Sequence, residues 1–268
     1  PDEVTALRSH LELAKPEEKM TWFGALRSSV GGDPTGYSAM MGQIAPDDPA
    51  LAMAGEYAGK GRPEPARMIL EGQQLLRPPR KADGTPDQGK LWPMPPEQDV
   101  RLKFQTLEQG AFTGNAGFRN SALQATNAIY AKLLVDAGNT TGVLNSSLYE
   151  QAFNLATGGV GSYGGRSVVL PYGMSQNDFE RGMNLRINDI VASGRLDKDI
   201  TAAEIRGRWS IDPIGDGRYQ FRNGNSFMVD KTGKAVVVNF NLEPEDREQT
   251  GRPMGRGGER MIAPWERR

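Results

Sequence analysis

Apolar positions in the first part of the chain recur at the spacing of amphipathic helices. Val4, Leu7 and Leu11 define one such face, and further helical patterns follow it along the chain. Asp48-Pro49 has the form of an N-cap residue followed by a first-turn proline, so a helix is expected to begin there. These patterns predict a helical segment over residues 1–76.

Residues 77–96 interrupt the helical pattern with six prolines and two glycines. Few positions in such a stretch can propagate a helix, because proline lacks an amide hydrogen and fixes its own φ. A compact domain seldom tolerates a structureless stretch of about 20 residues, so we predict a Pro-rich linker that wraps a surface or contacts a partner. Trp92 is the residue expected to anchor this linker, and it is also a candidate partner contact.

Helical periodicity returns over residues 97–165. Its longest run covers residues 118–134 and ends before Gly138. Small residues along this run would let another helix approach closely: Ala122, Ala125, Ala128 and Ala131. Gly158-Gly159 ends a shorter helix, so we predict a second helical segment here.

Residues 166–241 combine one capped helix with short strands. Ser175 and Asp178 have the spacing of a capping box, which predicts the start of the helix. Beyond residue 208 the apolar period changes from about 3.6 to about 2, in short runs separated by turn residues. This pattern predicts a small antiparallel β-meander. The aromatic residues expected on its buried face are Trp209, Tyr219, Phe221 and Phe227. Together the patterns predict an α+β fold, mainly α.

Residues 242–268 are polar and are predicted to form an extended tail. Five arginines against two glutamates within residues 251–268 give this end a net charge of +3. We expect the tail to order only on a partner. Its candidate contact residues are Arg252, Arg256, Arg260 and Trp265. Genomic DNA and acidic protein surfaces are both candidate partners for such a tail.

The composition of the chain excludes several classes of chemistry. The 268 residues include no cysteine and one histidine, which excludes a thiol nucleophile, a disulfide framework and a His-rich or Cys-ligated metal site. The net charge of −1 argues against a protein whose whole surface binds nucleic acid. No apolar stretch approaches the ~18 residues of a membrane-spanning helix. Because the sequence begins with Pro1 and shows no leader pattern, we expect it to be part of a longer polypeptide.

Two features invite a functional interpretation that their setting does not favour. Residues 159–164 match the G-x-G-x-x-G pattern of nucleotide-binding loops. That loop works when a strand precedes it and a helix follows. Here the predicted order is reversed, which favours a flexible helix-to-strand connection.

His10 lies among polar residues of a helix and is interpreted as a solvated position. We predict no catalytic residue, no cofactor and no metal site in this chain.

Carboxylates are the remaining candidates for chemistry, because glycoside cleavage needs a pair of them and neither histidine nor cysteine. The glutamates on predicted helices are Glu56, Glu71, Glu108, Glu150 and Glu180. None has a distinguishing sequence context, so solvated helix faces are the preferred interpretation. The alternative is a peptidoglycan-cleaving hydrolase or transglycosylase that acts through two of them. Asp212, Asp216 and Asp230, near predicted strand ends, are interpreted as turn residues.

Short motifs follow one another in a recognisable order over residues 47–241. They are Asp48-Pro49 with Ala54-Gly55, Ala66-Arg67-Met68-Ile69-Leu70-Glu71-Gly72, Ala128-Ile129-Tyr130-Ala131, Gly158-Gly159, Leu170-Pro171-Tyr172-Gly173-Met174, Gly217-Arg218-Tyr219-Gln220 and Asp230-Lys231-Thr232-Gly233. This order resembles the C-terminal portion of the large internal virion proteins, also called ejection proteins, of short-tailed bacteriophages. The resemblance covers most of the chain.

The resemblance implies a structural protein. Proteins of this kind are long, largely helical chains that are stored inside the capsid and released into the host envelope, where they help to form a conduit for the genome. The implied partners are copies of the chain itself and other phage internal or tail proteins. Some such proteins carry a transglycosylase domain elsewhere in the polypeptide. No motif here matches that domain, so we assign its catalytic residue to no position.

Overall fold

The computed structural model describes residues 2–30, 34–77, 91–215 and 217–240. Its helices are α1 (Asp2–Leu13), α2 (Pro16–Ser29), α3 (Pro34–Ile44), α4 (Pro49–Gly59), α5 (Pro63–Leu76), α6 (Glu97–Glu108), α7 (Ala116–Asp136), α8 (Ser146–Thr157), α9 (Gln176–Ala192) and α10 (Ala202–Arg208). Its strands are β1 (Val160–Tyr163), β2 (Arg166–Val169), β3 (Ser210–Gly215), β4 (Arg218–Asn223), β5 (Ser226–Phe227) and β6 (Val237–Asn239). The structure is 57% helical and has a small antiparallel sheet, which confirms the predicted α+β, mainly α fold.

Predicted capping residues begin two of the helices. The Asp48 side chain accepts a hydrogen bond from the Leu51 amide at 2.9 Å, and Pro49 occupies the first turn of α4. The Ser175 hydroxyl accepts a hydrogen bond from the Asp178 amide at 3.2 Å at the start of α9. These side chains satisfy amide groups that have no partner inside the helix. Both predicted helix starts are confirmed.

Helices from both predicted helical segments build one core. The long helix α7 packs against α4, α5 and α8. The small residues on its length are fully buried: Ala122, Ala125, Ala128 and Ala131. The predicted close approach of another helix is confirmed, because Gly72 of α5 lies directly against the backbone of Ala128.

Trp92 joins the described end of the Pro-rich stretch to this core. Residues 78–90 of the predicted linker lie outside the described residues. The Trp92 side chain is half-buried, and its Nε1 donates a hydrogen bond to the carbonyl oxygen of Asn139 at 3.0 Å. The anchoring role expected for Trp92 is therefore confirmed.

The strands β1 and β2 form an antiparallel hairpin in which Val160 pairs with Val169. The strand β2 lies within residues 166–241, the range in which short strands are predicted. The prediction of a flexible connection over residues 159–164 is wrong, because Val160–Tyr163 form β1. Gly161 and Ser162 have low strand propensity, so the strand arises from its pairing with β2 and was hidden in the local sequence.

A second core lies between α9 and the larger sheet. The strand β4 pairs with β3 on one edge and with β5 and β6 on the other, all antiparallel. Phe179, Met183 and Ile187 of α9 share this core with Tyr219 and Phe221 of β4. The predicted small antiparallel sheet is confirmed, and its strand order departs from a simple meander because β6 pairs with β4.

The buried face of the meander differs from the prediction at one aromatic residue. Tyr219 and Phe221 are buried and Trp209 is half-buried. Phe227, however, is 45% exposed. The register pairs Phe227 with Arg222, whose side chain points away from the core, and the next residue, Met228, takes the inward position. Because side chains alternate between the two faces of a sheet, a shift of one residue places Phe227 outside.

Of the three aspartates interpreted as turn residues, Asp216 lies outside the described residues, and the other two have different roles. Asp230 accepts hydrogen bonds from the amides of Thr232 at 2.9 Å and Lys234 at 3.1 Å, which confirms its place in a turn. For Asp212 the interpretation is wrong. Its carboxylate is buried in β3 and forms an ion pair with Arg222 of β4.

Candidate interaction surfaces

The structure describes one of the five predicted contact residues. Trp92 lies half-buried against the helical core, and its role as a partner contact stays a prediction. The other four lie in the predicted tail, outside the described residues: Arg252, Arg256, Arg260 and Trp265. None of the helices in the described ranges has the length and apolar character needed to cross a bilayer.

Two of the candidate carboxylates are held in ion pairs between elements. Glu108 is buried at the end of α6, and Arg119 of α7 donates to both of its oxygens at 2.7 and 2.6 Å. The hydrogen bond to Glu108 raises the pKa of the Arg119 guanidinium. Glu71 of α5 lies 3.3 Å from Lys132 Nζ of α7 and 3.5 Å from Arg67 Nε. These contacts give Glu108 and Glu71 a role in helix packing.

The other candidate glutamates lie nearer the surface. Glu150 and Glu180 are exposed, and Glu180 accepts a hydrogen bond from Gln176 at 2.9 Å. Glu56 is half-buried and lines a cleft of about 200 Å³ between α4, the start of α7 and the turn before β4, which also contains Arg218. Among the described residues that line this cleft, Glu56 is the one carboxylate, whereas glycoside cleavage through carboxylates uses a facing pair.

His10 and the acidic side chains form no metal-binding constellation in the described part of the chain. No group of three histidine, aspartate or glutamate residues there could hold an ion. His10 is exposed, and its ring contacts Trp22 edge-on with 5.4 Å between ring centroids. The interpretation of His10 as a solvated helix position is confirmed.

An apolar groove runs along the outer side of α6. We call it the α6 groove. It has a volume of about 520 Å³ and is lined by Pro96, Asp99, Leu102, Lys103, Thr106, Gly142, Val143 and Leu144. Leu102 is 54% exposed and Val143 is 67% exposed, so two large aliphatic side chains face solvent at one place. Exposed apolar side chains that occur together, with polar residues at their rim, are typical of protein–protein contact sites.

Sequence analysis alone missed the α6 groove. The pattern of Val100, Phe104 and Leu107 indicates one apolar face of the helix, and this face packs inward. Leu102 lies about 200° around the helix from Val100, since each residue turns the helix by about 100°. Leu102 is thus an apolar residue on the polar side of an amphipathic helix, and this was the one feature of the sequence that could have indicated the groove. Val143 gave none, because it lies in a loop.

A second group of exposed apolar side chains lies at the edge of β4 that β5 and β6 share and on the segment that joins these two strands. Its members are Phe227, Val229, Ala235 and Val237. The three large side chains are exposed by 45%, 50% and 41%, respectively. Residues between them point into the core instead, since Met228, Val236 and Val238 are all buried. Phe227 and Val237 therefore lie on the side of β4 that also carries Arg222 and Gln220, whereas Val229 and Ala235 form an isolated bridge outside the named strands.

Comparisons with known proteins add no relative to these observations. No protein-family description, curated protein or solved structure matches this chain.

Proposed function

We propose that this chain is a structural subunit of a bacteriophage ejection apparatus, which associates with copies of itself and with other internal or tail proteins of the virion. It would be stored in the capsid and delivered to the host envelope, where the assembly helps to pass the genome. The proposal has two supports: the order of motifs over residues 47–241, which resembles ejection proteins, and the α6 groove.

The α6 groove is the observation that carries the association. Leu102 and Val143 come from different parts of the chain and meet at a concave surface, where their burial by a partner would be favourable. Removal of apolar surface from water contributes about 25 cal/mol per Å². The charges at the rim, Asp99 and Lys103, are of opposite sign. Such a rim suits a protein surface of mixed charge better than a nucleic acid.

The first test is mass spectrometry of purified particles of a phage whose genome encodes this sequence. We expect its peptides in particles filled with DNA and a strong depletion in particles that have ejected their genome. Peptides at equal levels in both would point to a fixed shell or tail component. Their absence from all particles would remove the proposal.

The second test concerns the α6 groove itself. Leu102→Lys places a charge in the groove and is expected to weaken self-association of the purified chain by about tenfold or more, the usual effect of losing a central contact residue. Gln124→Lys, an exposed change on α7, is the matched control. Sedimentation velocity measures both. An unchanged association in Leu102→Lys, or a chain that stays monomeric at high concentration and binds no virion protein, contradicts the proposal. Cleavage of purified peptidoglycan by the chain would favour the enzymatic alternative.

A further inference from the structure

Within the described part of the chain, helix α6 packs through one side and leaves the opposite side open. Its inward residues Val100, Phe104 and Leu107 contact the core that contains α7 and α8. Leu102 lies on the opposite side and forms a ridge between two shallow depressions. One is the α6 groove, and the other has a volume of about 380 Å³ and is lined by Glu97, Gln98, Arg101, Leu102 and Gln105. An apolar ridge beside an apolar groove suits pairing with a copy of itself, because each copy then supplies both parts.

The two charged side chains of the α6 groove have an order that also fits a second copy. Asp99 and Lys103 both line the groove and are one helical turn apart, so they lie on the same flank of Leu102. When a two-fold axis relates two antiparallel helices, the same flank of each helix meets, in reversed order along the helix. An axis halfway between Asp99 and Lys103 therefore places Asp99 of each copy beside Lys103 of the other. This arrangement gives two attractive charge pairs.

The other flank of Leu102 is compatible with the same axis. Arg101 forms an ion pair with Glu97 of its own helix at 2.6 Å, so the flank presents a charge pair that is already neutralised. Gln98 and Gln105 are exposed there, and their amides donate and accept hydrogen bonds.

We infer that α6 pairs with α6 of a second copy in antiparallel orientation about a two-fold axis. The contact buries Leu102 and Val143 of both copies and joins Asp99 of each copy to Lys103 of the other. The inference rests on the self-association in the proposed function and adds the symmetry of the contact. A two-fold contact closes on itself and yields dimers, whereas a contact between the α6 groove and a different surface would yield rings or open chains.

Charge reversal gives a test that only a reciprocal contact passes. Asp99→Lys creates a copy with two cations at the contact, and Lys103→Glu creates a copy with two anions. Each variant alone brings like charges together, so we expect its dimerisation in low salt to be weaker than that of the natural chain by about tenfold or more. An equimolar mixture restores both attractive pairs, and we expect mixed dimers with an affinity within about threefold of the natural dimer.

Sedimentation velocity of the full chain measures these affinities, and native mass spectrometry with one variant isotopically labelled identifies the mixed dimer. The matched control is Arg181→Glu on α9, which makes the same change of charge as Lys103→Glu on a side chain that is 72% exposed. This control should dimerise like the natural chain. Asp99 is exposed, so Asp99→Lys tests the contact even if Lys103→Glu does not fold. Its dimerisation should recover in about 1 M salt, because salt screens exposed charges.

The outcomes distinguish this inference from the proposed function. A natural chain that stays monomeric, single variants that dimerise like the natural chain, or a mixture that stays monomeric would each overturn the inference. If Leu102→Lys weakens association but the mixture does not recover it, the groove binds copies without this symmetry, and the proposed function stands while the inference fails. If the mixture recovers association but no particle contains the peptides, the pairing stands and the ejection function fails.

Discussion

Gly72 of α5 lies so close to Ala128 of α7 that a methyl group at position 72 would sit 1.7 Å from the Ala128 carbonyl oxygen. Real Cβ atoms do not approach a backbone oxygen to this distance, so the two helices meet backbone to backbone at this point. The absence of a side chain at Gly72 and the small side chains along α7 together set the spacing of the central helix pair. Glu71 immediately precedes Gly72, and Lys132 lies one helical turn after Ala128. These two side chains form an ion pair between the same helices at 3.3 Å.

Gly72→Ala is therefore expected to destabilise the helical core. The methyl group cannot be accommodated by a side-chain movement, because the obstacle is backbone, and overpacking of this kind costs about 1–3 kcal/mol or more. Gly24→Ala in α2 is the control, since nothing lies within 4 Å of the added carbon. There alanine is expected to stabilise the helix by up to about 1 kcal/mol. Urea unfolding measures both changes, and a neutral result for Gly72→Ala would show that α5 and α7 are further apart.

The ion pair between Asp212 and Arg222 joins β3 to β4 on the side of the sheet that meets the helical part. The Asp212 carboxylate is buried, and a methyl group on Gly114, before α7, would lie 1.7 Å from its Oδ2. Arg222→Met leaves this buried carboxylate without its cation, which typically destabilises a protein by about 3–5 kcal/mol. Arg101→Met breaks an exposed pair with Glu97 and is expected to cost at most about 0.5 kcal/mol.

A double variant distinguishes the ion pair from simple packing. Asp212→Asn combined with Arg222→Met removes both charges and should recover part of the loss caused by Arg222→Met alone. Thermal unfolding monitored by circular dichroism gives the comparison. If the double variant loses as much stability as Asp212→Asn and Arg222→Met lose separately when summed, the two side chains act independently.

The side chain of Gln176 closes the free edge of the β1–β2 hairpin. Its Oε1 accepts from the Ser162 amide at 2.9 Å, and its Nε2 donates to the Ser162 carbonyl at 2.6 Å, as a neighbouring strand would. Gly161 permits this approach, because a Cβ there would lie 2.0 Å from Gln176 Oε1. Gln176→Leu should therefore speed hydrogen exchange at the Ser162 amide. Asn177→Leu, at an exposed position one residue later, should not.

Particular residues show how much of this structure the sequence reveals. Caps such as Asp48 and Ser175, the alanine stripe of α7 and the turn at Asp230 depend on local chemistry, and sequence analysis predicted them. The strand β1, the outward position of Phe227 and the buried state of Asp212 depend on strand pairing and register, which partners distant in sequence decide. The α6 groove was missed for a related reason, since Val143 meets Leu102 only in the folded chain.

Tyr149 on α8 links stability to alkaline pH. Burial raises the pKa of the Tyr149 phenol above its ordinary value, with a smaller contribution from Tyr130, whose ring lies 5.0 Å away. The folded state therefore keeps the phenolic proton at a pH where the unfolded state has released it. The stabilisation is complete below the ordinary tyrosine pKa of about 10 and is lost as pH rises above it. Each such group lowers the free energy of unfolding by about 1.4 kcal/mol per pH unit in that window.

Tyr149→Phe separates this effect from the hydrogen bond that the phenol makes. At neutral pH the variant should be about 1 kcal/mol less stable, because the bond from the Tyr149 hydroxyl to Asn127 Oδ1 at 3.0 Å is lost. Above pH 10 the free energy of unfolding of the variant should fall less steeply with pH than that of the natural chain. The two slopes should differ by up to about 1.4 kcal/mol per pH unit, the contribution of one proton. Gln151→Ala, on the exposed face of the same helix, should keep the natural slope. Urea titrations at several pH values give both slopes, and equal slopes for Tyr149→Phe and the natural chain would mean that Tyr149 is ionised in the folded state as readily as in the unfolded state.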